Sequence, residues 1–98
     1  MDFKIIWADP ATEALREIVE LIAADNAPAA ARLGFAIIEH MELAANFPQM
    51  GPLYSQGASG EMRCLTHDAY RLYYRVGRIP DTIEVLTVRH TARTQPRF

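Results

Sequence analysis

Cysteine is nearly absent from this chain of 98 residues: Cys64 stands alone, so it has no partner for an internal disulfide and cannot by itself build a zinc site. No apolar run approaches the roughly 18 residues that cross a membrane. The opening Met1-Asp-Phe-Lys-Ile-Ile-Trp7 has neither the basic start nor the long apolar stretch of a secretory signal. These absences predict a protein of the reducing cytoplasm with no membrane partner. Lysine is also scarce. Nine of the ten basic residues are arginine, whose planar fork suits two-point contact with a carboxylate or phosphate. The histidines and Cys64 lack the spacing of metal ligands, so neither a metal nor an organic cofactor is expected. Repeats and low-complexity tracts are missing.

What the chain does have is hydrophobic content, at 50% of its residues, which excludes disorder on composition. Its length predicts one domain over residues 1–98, with a real but modest core. The net charge of -2 hides an asymmetry. Residues 1–60 carry a net of -5, whereas residues 61–98 carry seven arginines and a net of +3. The basic end suggests an anionic partner, set against the simpler reading of a solvated, self-paired face.

The first half predicts one strand and two helices. Phe3, Ile5 and Trp7 alternate with Lys4, as in a half-buried strand, with Trp7 read as core. Asp9-Pro10 then reads as a capping residue before proline at the first helical position. Leu15, Ile18, Val19 and Ile22 form an apolar stripe, with Glu13, Arg16, Glu17 and Glu20 turned to water. After Asp25-Asn26 a second stripe runs through Ala30, Leu33, Ile37, Met41 and Ala44, until Asn46-Phe47-Pro48 stops it. Alanines at the start of this second helix allow the two to pack closely as a hairpin.

From Pro48 to Gly60, three glycines and two prolines predict a long connection without regular structure. The remainder reads as three short strands in the stretch from Glu61 to Val76 and from Thr82 to Arg93. Alternation puts Arg71, Tyr73 and Arg75 on one face of their strand and Tyr70, Leu72, Tyr74 and Val76 on the other. One face can pack while the other binds. Arg71 is the leading candidate for function, since it lies mid-strand with a fork that engages carboxylate or phosphate. His90 fits a functional or a structural role equally, and His67 reads as a solvated turn residue. Tyr70, Tyr73 and Tyr74 could stack on bases, or pack half-buried with the hydroxyl at the rim. Cys64 is expected to be an inert strand residue.

The order of these fragments resembles the RelE/ParE superfamily of bacterial toxins over essentially the whole chain, most closely its ParE-like branch. Ala14-Leu15-Arg16-Glu17-Ile18 and Ala29-Ala30 carry the likeness in the helices, and Phe47-Pro48-Gln49-Met50-Gly51 in the loop. In the sheet it rests on Arg63-Cys64-Leu65, on Tyr70-Arg71-Leu72-Tyr73-Tyr74-Arg75-Val76, and on Val88-Arg89-His90-Thr91-Ala92-Arg93. The resemblance implies an α+β fold: an N-terminal strand, a two-helix hairpin and a three-stranded antiparallel meander. It also implies the toxin of a type II toxin–antitoxin system, of the kind that causes growth arrest and plasmid stabilisation and is neutralised by a cognate antitoxin.

Two targets follow from the resemblance. RelE-like members cleave messenger RNA on the ribosome, which would need a base, an acid and cations around the phosphate; here Glu61, His90, Arg63, Arg71 and Arg93 are the candidates. ParE-like members poison DNA gyrase, by a route not known to need catalytic residues of their own. A sequence pI near 5.9 and the ending His90-Thr-Ala-Arg93 favour gyrase. On that reading Arg63, Arg71, Tyr73, Arg75, Arg89, His90 and Arg93 are candidates for contact with target or antitoxin. A non-toxic binding module of the same fold is the third reading.

Overall fold

In the computed structural model, which describes residues 3–92, the chain runs β1 (Lys4–Trp7), α1 (Asp9–Ala23), α2 (Ala27–Asn46), β2 (Leu53–Gly57), β3 (Gly60–His67), β4 (Tyr70–Val76) and β5 (Thr82–His90). Five strands form one sheet in the order β1-β5-β4-β3-β2, antiparallel except for the parallel pair of β1 and β5. The expected strand, helix hairpin and antiparallel meander are all present. The connection expected to lack regular structure contains a further strand. Leu53–Gly57 adds to β3 across a register shift between Leu53 and Ser55, an irregularity that tolerates neighbouring prolines and glycines.

Helix starts follow local chemistry. Pro10 lies in the first turn of α1, but Ala8 is the N-cap and makes no side-chain hydrogen bond. Asp9 sits one residue further in, where its charge complements the helix dipole. For α2 the cap is Asn26, whose side-chain oxygen accepts from Ala29 N at 3.1 Å. At Gly34, where α2 meets α1, a Cβ would stand at ordinary contact distance from Val19, so the hairpin closes there without requiring glycine.

Both helices cover one face of the sheet. The α2 stripe of Ala30, Ile37, Met41 and Ala44 is buried as expected, and most of it packs with Leu65, Leu72, Tyr74, Ile83, Val85 and Val88. Burying this set is the main source of stability, at roughly 25 cal/mol per Å² of apolar surface. Trp7 is only partly buried and packs at the margin of that core.

One irregularity decides which side chains face where. Tyr73 pairs with Thr87 and Tyr74 with Val85, so Leu86 is an extra residue in β5. Before this bulge Ile83 and Val85 point toward the helices. Beyond it Val88 and His90 do, and Arg89 turns outward beside Arg71.

Candidate target and antitoxin surface

The sheet has two faces with different chemistry. Opposite the helices, cross-strand pairing lines up Arg71 with Arg89, Tyr73 with Thr87 and Arg75 with Glu84. On the same face Thr66, Cys64 and Met62 of β3 lie beside Arg71, Tyr73 and Arg75. Arg78 joins this set by donating to both oxygens of Glu84, from Nε at 2.8 Å and from Nη2 at 2.5 Å. That pairing, together with the charge of Arg75, holds the Glu84 carboxyl below the usual carboxylate range. Four arginines, two of them beside the single glutamate, leave this face basic.

Tyr73 does not present an open ring. It is 1% exposed, and Tyr54 of β2 packs edge-on against it with ring centres 5.2 Å apart. The strand that the sequence did not reveal supplies this cover. Burial pushes the Tyr73 hydroxyl and the Cys64 thiol upward, so Cys64 is a poor nucleophile, as expected.

Arg63 points to the other face and is occupied there. Its Nη1 donates to Gly51 O at 2.8 Å and Gln49 O at 3.3 Å, while Nε donates to Glu61 Oε1 at 3.1 Å. Tyr74 holds the same loop: its hydroxyl donates to Pro48 O at 2.8 Å and accepts from Gly51 N at 3.1 Å. A Cβ at Gly51 would lie 2.9 Å from that hydroxyl, so glycine is the residue that fits. Two sheet side chains thus pin the segment Phe47-Pro-Gln-Met-Gly51 while Phe47 remains 61% exposed.

The residues a nuclease would need are dispersed. Glu61 pairs with Val76 at one end of β4 and His90 with Tyr70 at the other, six residues away, a separation on the order of 20 Å along the strands. Arg71 projects from the opposite face to both. Arg93 lies outside the described residues. His90 packs edge-on against Tyr70 with ring centres 5.5 Å apart, and its Nδ1 accepts from Ala92 N at 3.1 Å. With Glu17, Ile18 and Leu21 of α1, these two rings line a groove of about 590 Å³.

His67, expected as a solvated turn residue, is half-buried at the end of β3. Its Nδ1 lies 3.0 Å from Nδ1 of His40 on α2. Burial, reinforced by the neighbouring imidazole, lowers the affinity of His40 for a proton. No local pattern hinted at this pair, since its members stand 27 positions apart on different elements. Among the described residues, no three His, Cys, Asp or Glu side chains converge as a metal-binding group.

The helix hairpin offers a second surface. Leu15, Val19, Ala30, Gly34, Phe35 and Ile38, with Trp7 at one end, line a largely apolar groove of about 510 Å³ between α1 and α2. Phe35 at its rim is 69% exposed. Contiguous exposed apolar area of this kind makes the groove a candidate interaction surface. No helix here is long and apolar enough to cross a membrane among the described residues.

An antiparallel meander backed by a helix hairpin is the architecture of the RelE/ParE superfamily, and solved structures agree. The chromosomal ParDE toxin–antitoxin system of P. aeruginosa contains a chain that superposes with a TM-score of 0.73 at 18% identity, covering 90% of this chain and 95% of that one. A chain of the RelBE2 toxin–antitoxin complex of Mycobacterium tuberculosis gives a TM-score of 0.68, also at 18% identity, covering 92% and 99%. At that identity the likeness establishes the fold. No curated protein matches the sequence at a significant level. The family is set by a separate match, to the ParE toxin of the type II toxin–antitoxin system parDE, over residues 5–95. This chain belongs to the ParE toxin family.

Proposed function

We propose that this toxin arrests growth by acting on DNA gyrase and that a cognate antitoxin silences it. The observation that carries the gyrase reading is the separation of Glu61 from His90 to opposite ends of the sheet, with Arg71 on the other face. No single phosphate can touch such a set. Strand cleavage needs base, acid and charge stabilisation within hydrogen-bond reach of one reacting centre. The basic face built from Arg71, Arg75, Arg78 and Arg89 instead suits contact with an anionic surface, such as gyrase with its bound DNA.

The apolar groove between α1 and α2 suits an amphipathic antitoxin helix, which would bury Phe35 and Ile38. An acidic segment of the same antitoxin would cover the arginine face. The two solved structures named above come from toxin–antitoxin systems, which supports a partner of this kind.

The test is direct. Purified toxin is incubated with gyrase, ATP and plasmid, and supercoiling and trapped linear DNA are followed. Inhibition or trapped cleavage is the expected result. Unimpaired gyrase, with protein that is folded and toxic in cells, would refute the gyrase target and move attention to ribosome-dependent cleavage of messenger RNA.

A further inference from the structure

The pair of imidazoles linking α2 to the end of β3 is not used by any surface described above. His40 Nδ1 and His67 Nδ1 face each other at 3.0 Å, with their rings tilted by 60° and their centres 5.2 Å apart. One proton joins two nitrogens that would otherwise both present lone pairs. On its far edge, His67 Nε2 lies 3.8 Å from Oδ2 of Asp68. That is beyond hydrogen-bond reach, so the contact does not set the His67 tautomer, and either Nδ1 can hold the shared proton.

We propose that His40 and His67 form a two-nitrogen site for a divalent late first-row metal ion, of the copper(II) or nickel(II) type, that staples α2 to the β3–β4 hairpin. The separation of the two nitrogens selects the geometry. With metal–nitrogen bonds of roughly 2.0–2.1 Å, donors 3.0 Å apart subtend about 95° at the metal. Tetrahedral zinc would need about 3.3 Å, whereas neighbouring positions of a tetragonal ion stand near 90°. On binding, the ion takes the place of the proton shared between the two Nδ1 atoms, and that proton moves through solvent to the vacant Nε2 of the histidine that held it, so both ligands remain neutral imidazoles. Water fills the remaining positions.

The site ties a helix to a hairpin that is distant in sequence, so an occupied site stabilises the folded chain by mass action. Neither the gyrase reading nor the antitoxin surface enters this argument.

The experiment titrates the whole purified chain with copper(II), nickel(II) and zinc(II), reading calorimetry and thermal melts, and records the electron paramagnetic resonance spectrum of the copper form. One equivalent of copper should bind and raise the melting temperature, with hyperfine structure from two imidazole nitrogens. His40→Gln and His67→Gln should each weaken binding on the order of 100-fold, because the second ligand is then no longer presented intramolecularly. His90→Gln should leave it unchanged. Failure to bind, undiminished affinity in both variants, or a spectrum with fewer than two nitrogens would each overturn the site. Tighter binding of zinc than of nickel would overturn the tetragonal geometry. The spectrum of the unsubstituted chain decides the matter even where a variant folds poorly.

Discussion

Tyr74 shows how much one side chain can fix. Its ring is fully buried in the core, and its hydroxyl holds both ends of the Pro48–Gly51 segment. Tyr74→Phe keeps the ring but strands the Gly51 N–H and the Pro48 carbonyl, so it should cost about 1–3 kcal/mol, measured by urea denaturation. A change within experimental error would show that the loop holds without it. Glu84 sets a pH dependence. Because Arg78 lowers its folded carboxyl pKa, its contribution is fully present above the unfolded carboxyl value of about 4.5 and is lost as pH falls through the folded value. Arg78→Gln should therefore flatten the acid limb of the stability curve, compared by denaturation at pH 6 and pH 3. An unaltered acid limb would remove this pair from the account.

At the scale of elements, the central strands place like charges side by side. Arg71 and Arg89 stand directly opposite each other, an arrangement that costs sheet stability by roughly 0.2–1 kcal/mol. We expect Arg71→Ala to leave stability equal or slightly raised while it lowers growth inhibition in cells. Full toxicity from a well-expressed variant would remove Arg71 from the target contact. The helix hairpin calls for a separate test. Phe35→Asp, at a site already open to water, should leave the melting temperature nearly unchanged yet weaken antitoxin binding by more than about 1 kcal/mol, read by calorimetry. Unchanged affinity would place the antitoxin elsewhere.

Across the whole molecule, toxicity should survive loss of the two residues best suited to acid–base chemistry. Glu61→Gln with His90→Gln separates the two toxin mechanisms, since the native pair stand at opposite ends of the sheet and serve no common centre. Growth inhibition in cells is the readout. Its abolition in a double variant of native stability would argue for RNA cleavage and against the gyrase reading. The basic face and the acidic helices give the molecule a charge asymmetry that steers an acidic partner to one side. Raising salt should slow antitoxin association while changing dissociation much less, because screening acts on the encounter.

Much of this architecture was legible in the residue pattern because it rests on local rules. Periodicity of 3.6 exposed the buried stripe of α2, Asn26 and Pro28 marked its start, and alternation separated Arg71 and Arg75 from Leu72 and Tyr74. The order of fragments also revealed the toxin fold. Other features depend on contacts between residues far apart in sequence, which no local pattern encodes. A fifth strand survives among glycines and prolines because β3 offers it a partner, and it covers Tyr73 with Tyr54. The extra residue Leu86 turns Arg89 outward, where strict alternation from Ile83 would have turned it inward. Tertiary packing alone separated Glu61 from His90, committed Arg63 to the loop and brought His40 within hydrogen-bond distance of His67.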